Sequence, residues 1–137
     1  MNETWPITSP KTTALITGAT GFVGRHVCEK LNRMGCSISV ITRRASQASA
    51  VQSLPHVRVI EGDVYQPEFL SQQMAKHDVL INLIAILHGS EAAFDKAHVQ
   101  LPQIIAKACQ ASGLRKLIHI SALGASLQGP SHYQRSK

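Results

Sequence analysis

Glycines at positions 18, 21 and 24 follow the apolar run Ala14-Leu15-Ile16 and lead into a stretch with helical periodicity. A helix N-terminus leaves its first amides without partners and carries the positive end of the helix dipole, so a phosphate that can reach bare main chain is held there. A side chain at Gly18 or Gly21 would stand in that phosphate's place, and Gly24, one turn on, lets the helix lie close against the strand. The pattern is a cradle for a dinucleotide. A second set stands near the other end: Ser121, and Tyr133 followed four residues later by Lys137. A tyrosine near pKa 10 is a poor acid or base at neutral pH until a cation stabilises its phenolate. On a helix, Lys137 shares a face with Tyr133 and supplies that cation, while Ser121 can hydrogen-bond a substrate oxygen. Such a set suits the proton transfer that accompanies hydride transfer at a carbonyl or an alcohol.

Both sets require a scaffold of alternating elements. Ala14-Leu15-Ile16 reads as a strand buried on both faces, and Phe22, Val23, His26, Val27, Leu31 and Met34 give a helix with one apolar face, ended by Gly35. Strands are expected at Ser37–Ile41, Val57–Ile60, Val79–Ala85 and Leu117–Ile120, with helices over 45–54, 67–76 and 91–112. Pro67 suits a first helical turn, Pro55 stops the helix before it, and Pro102 should kink the long helix or shift its start. Strands alternating with helices mean an α/β, Rossmann-like doubly wound parallel sheet of about five strands, ordered 3-2-1-4-5, with the ligand at the switch point beside the first strand. Residues 12–137 form this one domain, and residues 1–11, with prolines at 6 and 10, read as a loose arm.

Thr17 to Gly24, Thr-Gly-Ala-Thr-Gly-Phe-Val-Gly, is similar at every fixed position to Thr-Gly-x-x-Gly-Phe-[Val/Ile]-Gly, the signature of the extended and atypical short-chain dehydrogenase/reductases. The resemblance runs from Thr12 to Lys137 and implies that Gly18, Thr20, Gly21, Phe22, Val23 and Gly24 hold a nicotinamide dinucleotide. It implies that Asp63 and Val64 meet the adenine, though Asp63 could equally close an Asx turn. It also implies that the chain at Asn82, Leu83 and Ala85 passes along the ribose and pyrophosphate, with Asn82 alternatively a buried amide bracing its strand. Ser121, Tyr133 and Lys137 match the family's catalytic set. Where the family presents an asparagine on the long helix, this chain has His98. Asn82 to Leu87, His98-Val99 and 117–125 are similar to one atypical branch, which contains the nucleotide-binding accessory subunit of respiratory complex I and its bacterial relatives.

The second strand ends in Thr42-Arg43-Arg44, with no carboxylate for ribose hydroxyls. Arg43 and Arg44 can instead take a 2′-phosphate bidentately and cover the adenine, so NADP is favoured over NAD; the alternative is a solvated basic pair at the head of a helix.

The formal charge of +6 comes from fourteen Lys and Arg scattered along the chain, and aromatics are only 4%, too few for a stacking platform, so nucleic acid is not the expected partner. Three cysteines without a Cys-x-x-Cys pair read as reduced structural thiols, with neither disulfide nor metal site. No membrane span or leader is visible, and a cytoplasmic location is expected. The sequence stops at Lys137, before the later strands and substrate-binding part that the resembled family places there. The expectation is therefore the nucleotide-binding half of a longer enzyme, a reductase, epimerase or dehydratase that alone turns over little. The other reading is a non-catalytic NADPH-binding module for structure, sensing or assembly, with a homo-oligomer or larger complex left open.

Overall fold

The computed structural model describes residues 11–137, so all but the last residue of the expected N-terminal arm lies outside the described part. β1 (Thr13–Thr17) leads into α1 (Phe22–Arg33), which ends at Met34 because Gly35 turns the chain out with φ at 82°. β2 (Ser37–Thr42) follows, then a 3₁₀ turn (Ala45–Ala48) and the short α2 (Ser49–Gln52), β3 (Val57–Glu61), α3 (Pro67–Met74) and β4 (Val79–Asn82). A long composite helix comes next, made of α4 (Glu91–Asp95), a π turn (Lys96–Gln100) and α5 (Leu101–Ser112), and the chain closes with β5 (Lys116–His119) and α6 (His132–Ser136).

The five strands form one parallel sheet in the order β3-β2-β1-β4-β5. Alternation along β1 explains the two-sided core. Ala14 and Ile16 face one layer, with Cys28 of α1, Val40 and Val51, while Leu15 faces the other, with Leu70, Leu80, Leu101 and Ile105. Leu15, Ile16 and Leu80 are fully buried, and each such side chain contributes about 1.5–3 kcal/mol of transfer free energy.

Three local features differ from the sequence reading. Residues 45–54 make a 3₁₀ turn and one α turn in place of a continuous helix, in a Ser- and Gln-rich stretch whose α turn has no side-chain cap. β4 stops at Asn82 rather than Ala85, because the Asn82 carboxamide accepts from the Ile84 amide at 3.3 Å and turns the chain. The long helix passes through a π turn just ahead of Pro102, where the Leu101 amide bonds the Lys96 carbonyl five residues back. An α-helical Pro102 would lack an amide and press its ring on the carbonyl four residues earlier, and the wider turn relieves that crowding. The same turn holds Ala97 and His98 buried against the rest of the domain.

Candidate functional site

Because all strands run parallel, their C-terminal ends lie along one edge, and the register sets Ile41, Thr17, Asn82 and His119 side by side. Above this edge lies a cleft of about 300 Å³ whose lining includes Gly18, Thr20, Arg43, Val64, Tyr65 and Ile84. The strand edge itself is tied by polar side chains. The Thr17 hydroxyl donates to Asn82 Oδ1 at 2.7 Å, and Asn82 Nδ2 lies 3.1 Å from His119 Nδ1. With three partners and almost no exposure, Asn82 braces β1, β4 and β5 through its side chain, and its carbonyl accepts from the Ile120 amide at 3.2 Å.

The three glycines do different work. A Cβ on Gly24 would run into Ala19 and the Gly18 carbonyl, so this position serves the close approach of α1 to the preceding turn. On Gly18 it would lie 2.7 Å from the main chain of Leu83 and Ile84, and φ there is 81°. The protein's own β4 exit therefore excludes a side chain at Gly18, a reason for glycine additional to the phosphate expected there. Gly21 is the open position. Its Cβ would meet nothing nearer than 3.7 Å, and it caps a twelve-residue helix with no side-chain hydrogen bond and no acidic residue in the first turn. An uncapped helix start beside a glycine that nothing in the protein requires fits an anionic group bound from outside.

At the β2 end of the cleft, Arg43 Nη2 stands 4.0 Å from Asp63 Oδ1, and its guanidinium lies 5.5 Å over the Tyr65 ring. Asp63 also accepts from the Tyr65 amide at 2.9 Å, so it closes an Asx turn and faces the arginine at once. Val64 is buried beneath it, whereas Arg44 is exposed and bonds through its amide to the Thr42 hydroxyl. Of the two arginines, Arg43 is the one that lines the cleft. Phe22 and Val23 are exposed on the first turn of α1, Leu83 packs on the core, and Ala85 is exposed beyond β4.

Nothing in the sequence separates Tyr65 from other loop aromatics. It stands between Arg43 and Lys96, whose ammonium is 4.8 Å from the ring centre. Burial pushes its phenol above the ordinary tyrosine value, with Arg43 opposing and Asp63 adding to the rise.

On the β5 side, Ser121 Oγ donates to the Lys137 carbonyl at 3.2 Å, and Lys137 Nζ donates to the Ile120 carbonyl at 2.7 Å. Burial lowers the Lys137 ammonium pKa below the usual lysine value. The Tyr133 ring meets His98 edge-on at 5.4 Å and Phe94 at 6.4 Å, and its hydroxyl has no hydrogen-bond partner among the described residues. Ser121 and Lys137 are thus in contact, Tyr133 is seated against His98, and the Lys137 ammonium rests on main chain.

The family profile described as NAD(P)H-binding matches residues 18–137. The chain belongs to that family. Within it the chain is related in sequence to a mitochondrial NADH dehydrogenase subunit. It is 33% identical over 135 residues to NADH dehydrogenase (ubiquinone) 1 alpha subcomplex subunit 9, mitochondrial, of Mus musculus, covering 90% of this chain and 34% of that protein. It is 30% identical over 123 residues to the ceramide reductase of Caulobacter vibrioides, covering 89% of this chain and 38% of the relative. The chain therefore spans little more than a third of the length of these relatives. Among solved structures, the UDP-Glc/GlcNAc 4-epimerase of Campylobacter jejuni superposes with a TM-score of 0.81 at 16% identity, over 92% of this chain and 46% of that one, and shares the fold. Nicotinamide dinucleotide binding follows from the family. No helix among the described residues is long and apolar enough to cross a membrane.

Proposed function

We propose that this chain is the coenzyme-binding domain of a short-chain-type oxidoreductase, a reductase, epimerase or dehydratase, that moves hydride to or from a carbonyl or alcohol and prefers NADP. The observation that carries the reading is the uncapped start of α1 at the unencumbered Gly21, opening beside a cleft that Arg43 and Asp63 flank. In it the main chain at Gly18, Thr20 and Gly21 receives the pyrophosphate, with Phe22, Val23 and Gly24 completing the turn. Arg43 takes the 2′-phosphate, Asp63 and Val64 border the adenine, and the chain at Asn82, Leu83 and Ala85 follows the ribose. The bound dinucleotide would supply or accept the hydride.

Tyr133 is the acid/base of this reading, Ser121 holds the substrate oxygen, and Lys137 lowers the phenol's pKa once its ammonium leaves the Ile120 carbonyl for the phenolate. The proton moves between the Tyr133 hydroxyl and the substrate oxygen. The cytoplasm is the compartment this reading assigns.

A second reading is a non-catalytic NADPH-binding module within a larger assembly. It is supported by the likeness to the mouse subunit and by the Lys137 ammonium resting on main chain. Tyr133→Phe separates the two. Loss of carbonyl reduction with coenzyme binding intact supports the enzyme, and unaltered function in the cell supports the module.

A further inference from the structure

His98 is the family's asparagine position and the most enclosed titratable side chain near the acid/base set, with only 5% of its surface exposed. Both ring nitrogens are engaged. Nε2 accepts from the Ile86 amide at 3.1 Å, and Nδ1 lies 2.9 Å from Ser136 Oγ. A main-chain N–H can only donate, so Nε2 is unprotonated and the ring proton sits on Nδ1. The serine end accommodates the same arrangement. Ser136 Oγ donates its single proton to the Tyr133 carbonyl at 3.1 Å, leaving its lone pairs to accept from Nδ1–H. The Ile86 amide therefore selects one neutral tautomer, and Ser136 accepts from it.

The two partners belong to different halves of the site. Ile86 follows β4 in the loop that lines the coenzyme cleft, and Ser136 lies on α6 between Tyr133 and Lys137. α6 has only five residues and, as an isolated helix, no stability of its own. Its other ties, Gln134 to Ser126 and Arg135 to Gly129, run back to the loop before it, and Lys137 and Ser121 tie it to the β5 exit. His98 connects it to the coenzyme side.

We propose that His98 is a positioning residue that clamps the cleft-lining loop at Ile86 to the Tyr133–Lys137 helix, so that coenzyme in the cleft and the acid/base pair set as one unit. This rests on the proposed coenzyme reading of the cleft. The clamp exists only with a neutral ring. Protonating Nε2 would set two donors face to face at Ile86. Among the described residues, the groups facing the ring, Lys137 and Tyr133 from α6 and His119 from β5, include no carboxylate side chain to stabilise the added charge.

The test is made on this chain with NADPH as the probe. Long-range ¹⁵N–¹H spectra of the imidazole should show protonated Nδ1 and bare Nε2 near neutral pH; an Nε2–H ring overturns the clamp. Adding NADPH should shift the amides of Gly21 and Gly24 and also those of Ser136 and Lys137. In His98→Phe, which keeps a ring against Phe94 and Tyr133 but offers no nitrogen, the shifts at Ser136 and Lys137 should be lost while those at Gly21 and Gly24 persist. His98→Gln, whose amide can accept and donate, should restore them and hold them in mild acid, where the wild type loses them. Undiminished Ser136 shifts in His98→Phe overturn the proposal. Should that variant fail to fold, an identical acid response in wild type and His98→Gln overturns it instead. No shift at Gly21 or Gly24 in the wild type sinks the coenzyme reading and the coupling with it, whereas shifts there with Ser136 unmoved sink the coupling alone.

Discussion

Arg43 and Asp63 face each other across one wall of the cleft with Nη2 and Oδ1 4.0 Å apart, and both side chains are substantially exposed. An exposed pair at this distance is weak, so the guanidinium is free to exchange the carboxylate for a better anion. A phosphate offers charge-assisted bidentate bonds to the same fork.

Arg43→Ala should weaken NADPH by about 10- to 100-fold, the loss of one charged contact, and change NADH far less. Calorimetric titration with the two coenzymes measures the ratio. Equal losses for both would remove the NADP preference, and Arg44→Ala serves as the control, since Arg44 lies outside the cleft lining.

Gly24→Ala and Gly21→Ala should fail in different ways. The first drives a methyl into Ala19 and the Gly18 carbonyl and should cost about 1–3 kcal/mol, seen as a lower Tm. The second makes only an ordinary contact, 3.7 Å from the Gly18 carbonyl, and should leave Tm unchanged while weakening either coenzyme by about tenfold or more. A stable, fully binding Gly21→Ala protein would contradict the phosphate cradle.

Asn82→Ala removes the partner of the buried Thr17 hydroxyl and of His119 together, and should lower stability by about 1–3 kcal/mol in urea unfolding. Thr17→Val combined with it should recover part of the loss, because the second change removes a buried hydroxyl left with only its long 3.4 Å contact to the Ile81 carbonyl.

Burial first, and then the Lys137 charge, lowers the pKa of both His98 and His119 below the ordinary histidine value, with His119 adding to the effect on His98. The unfolded chain then binds more protons than the folded one just below pH 6.5, the ordinary value, so stability rises with pH there. The contribution is fully present above that value and is lost as pH falls through the depressed folded values. Unfolding midpoints across this range should slope upward in the wild type and less steeply in His98→Gln. Equal slopes would mean that His98 does not carry the effect.

Burial, with Glu29 adding to it, pushes the Cys28 thiol up to about 11. A thiol that stays protonated and enclosed should resist iodoacetamide in the native state at mildly alkaline pH and react once urea unfolds the chain. Mass mapping of the modified cysteines would check this, and native labelling of Cys28 would show that the α1 face opens.

The order of elements, the parallel sheet and the turn at Gly18, Gly21 and Gly24 were all readable from the chain, because they depend on periodicity and on residues whose backbone freedom is local. The π turn ahead of Pro102 was foreshadowed only as a kink or a shifted start. What could not be read there depends on contacts between residues far apart in sequence. Nothing local marks Gly18 as pressed against Leu83 and Ile84, Arg43 as lying over Tyr65, or the Lys137 ammonium as resting on Ile120. His98 illustrates the divide: its place on the helix follows from the chain, but its tautomer is chosen by an amide twelve residues before it and accommodated by a hydroxyl thirty-eight residues after it. Local periodicity sets which face a side chain occupies, and only the packing of distant segments sets which atom it touches.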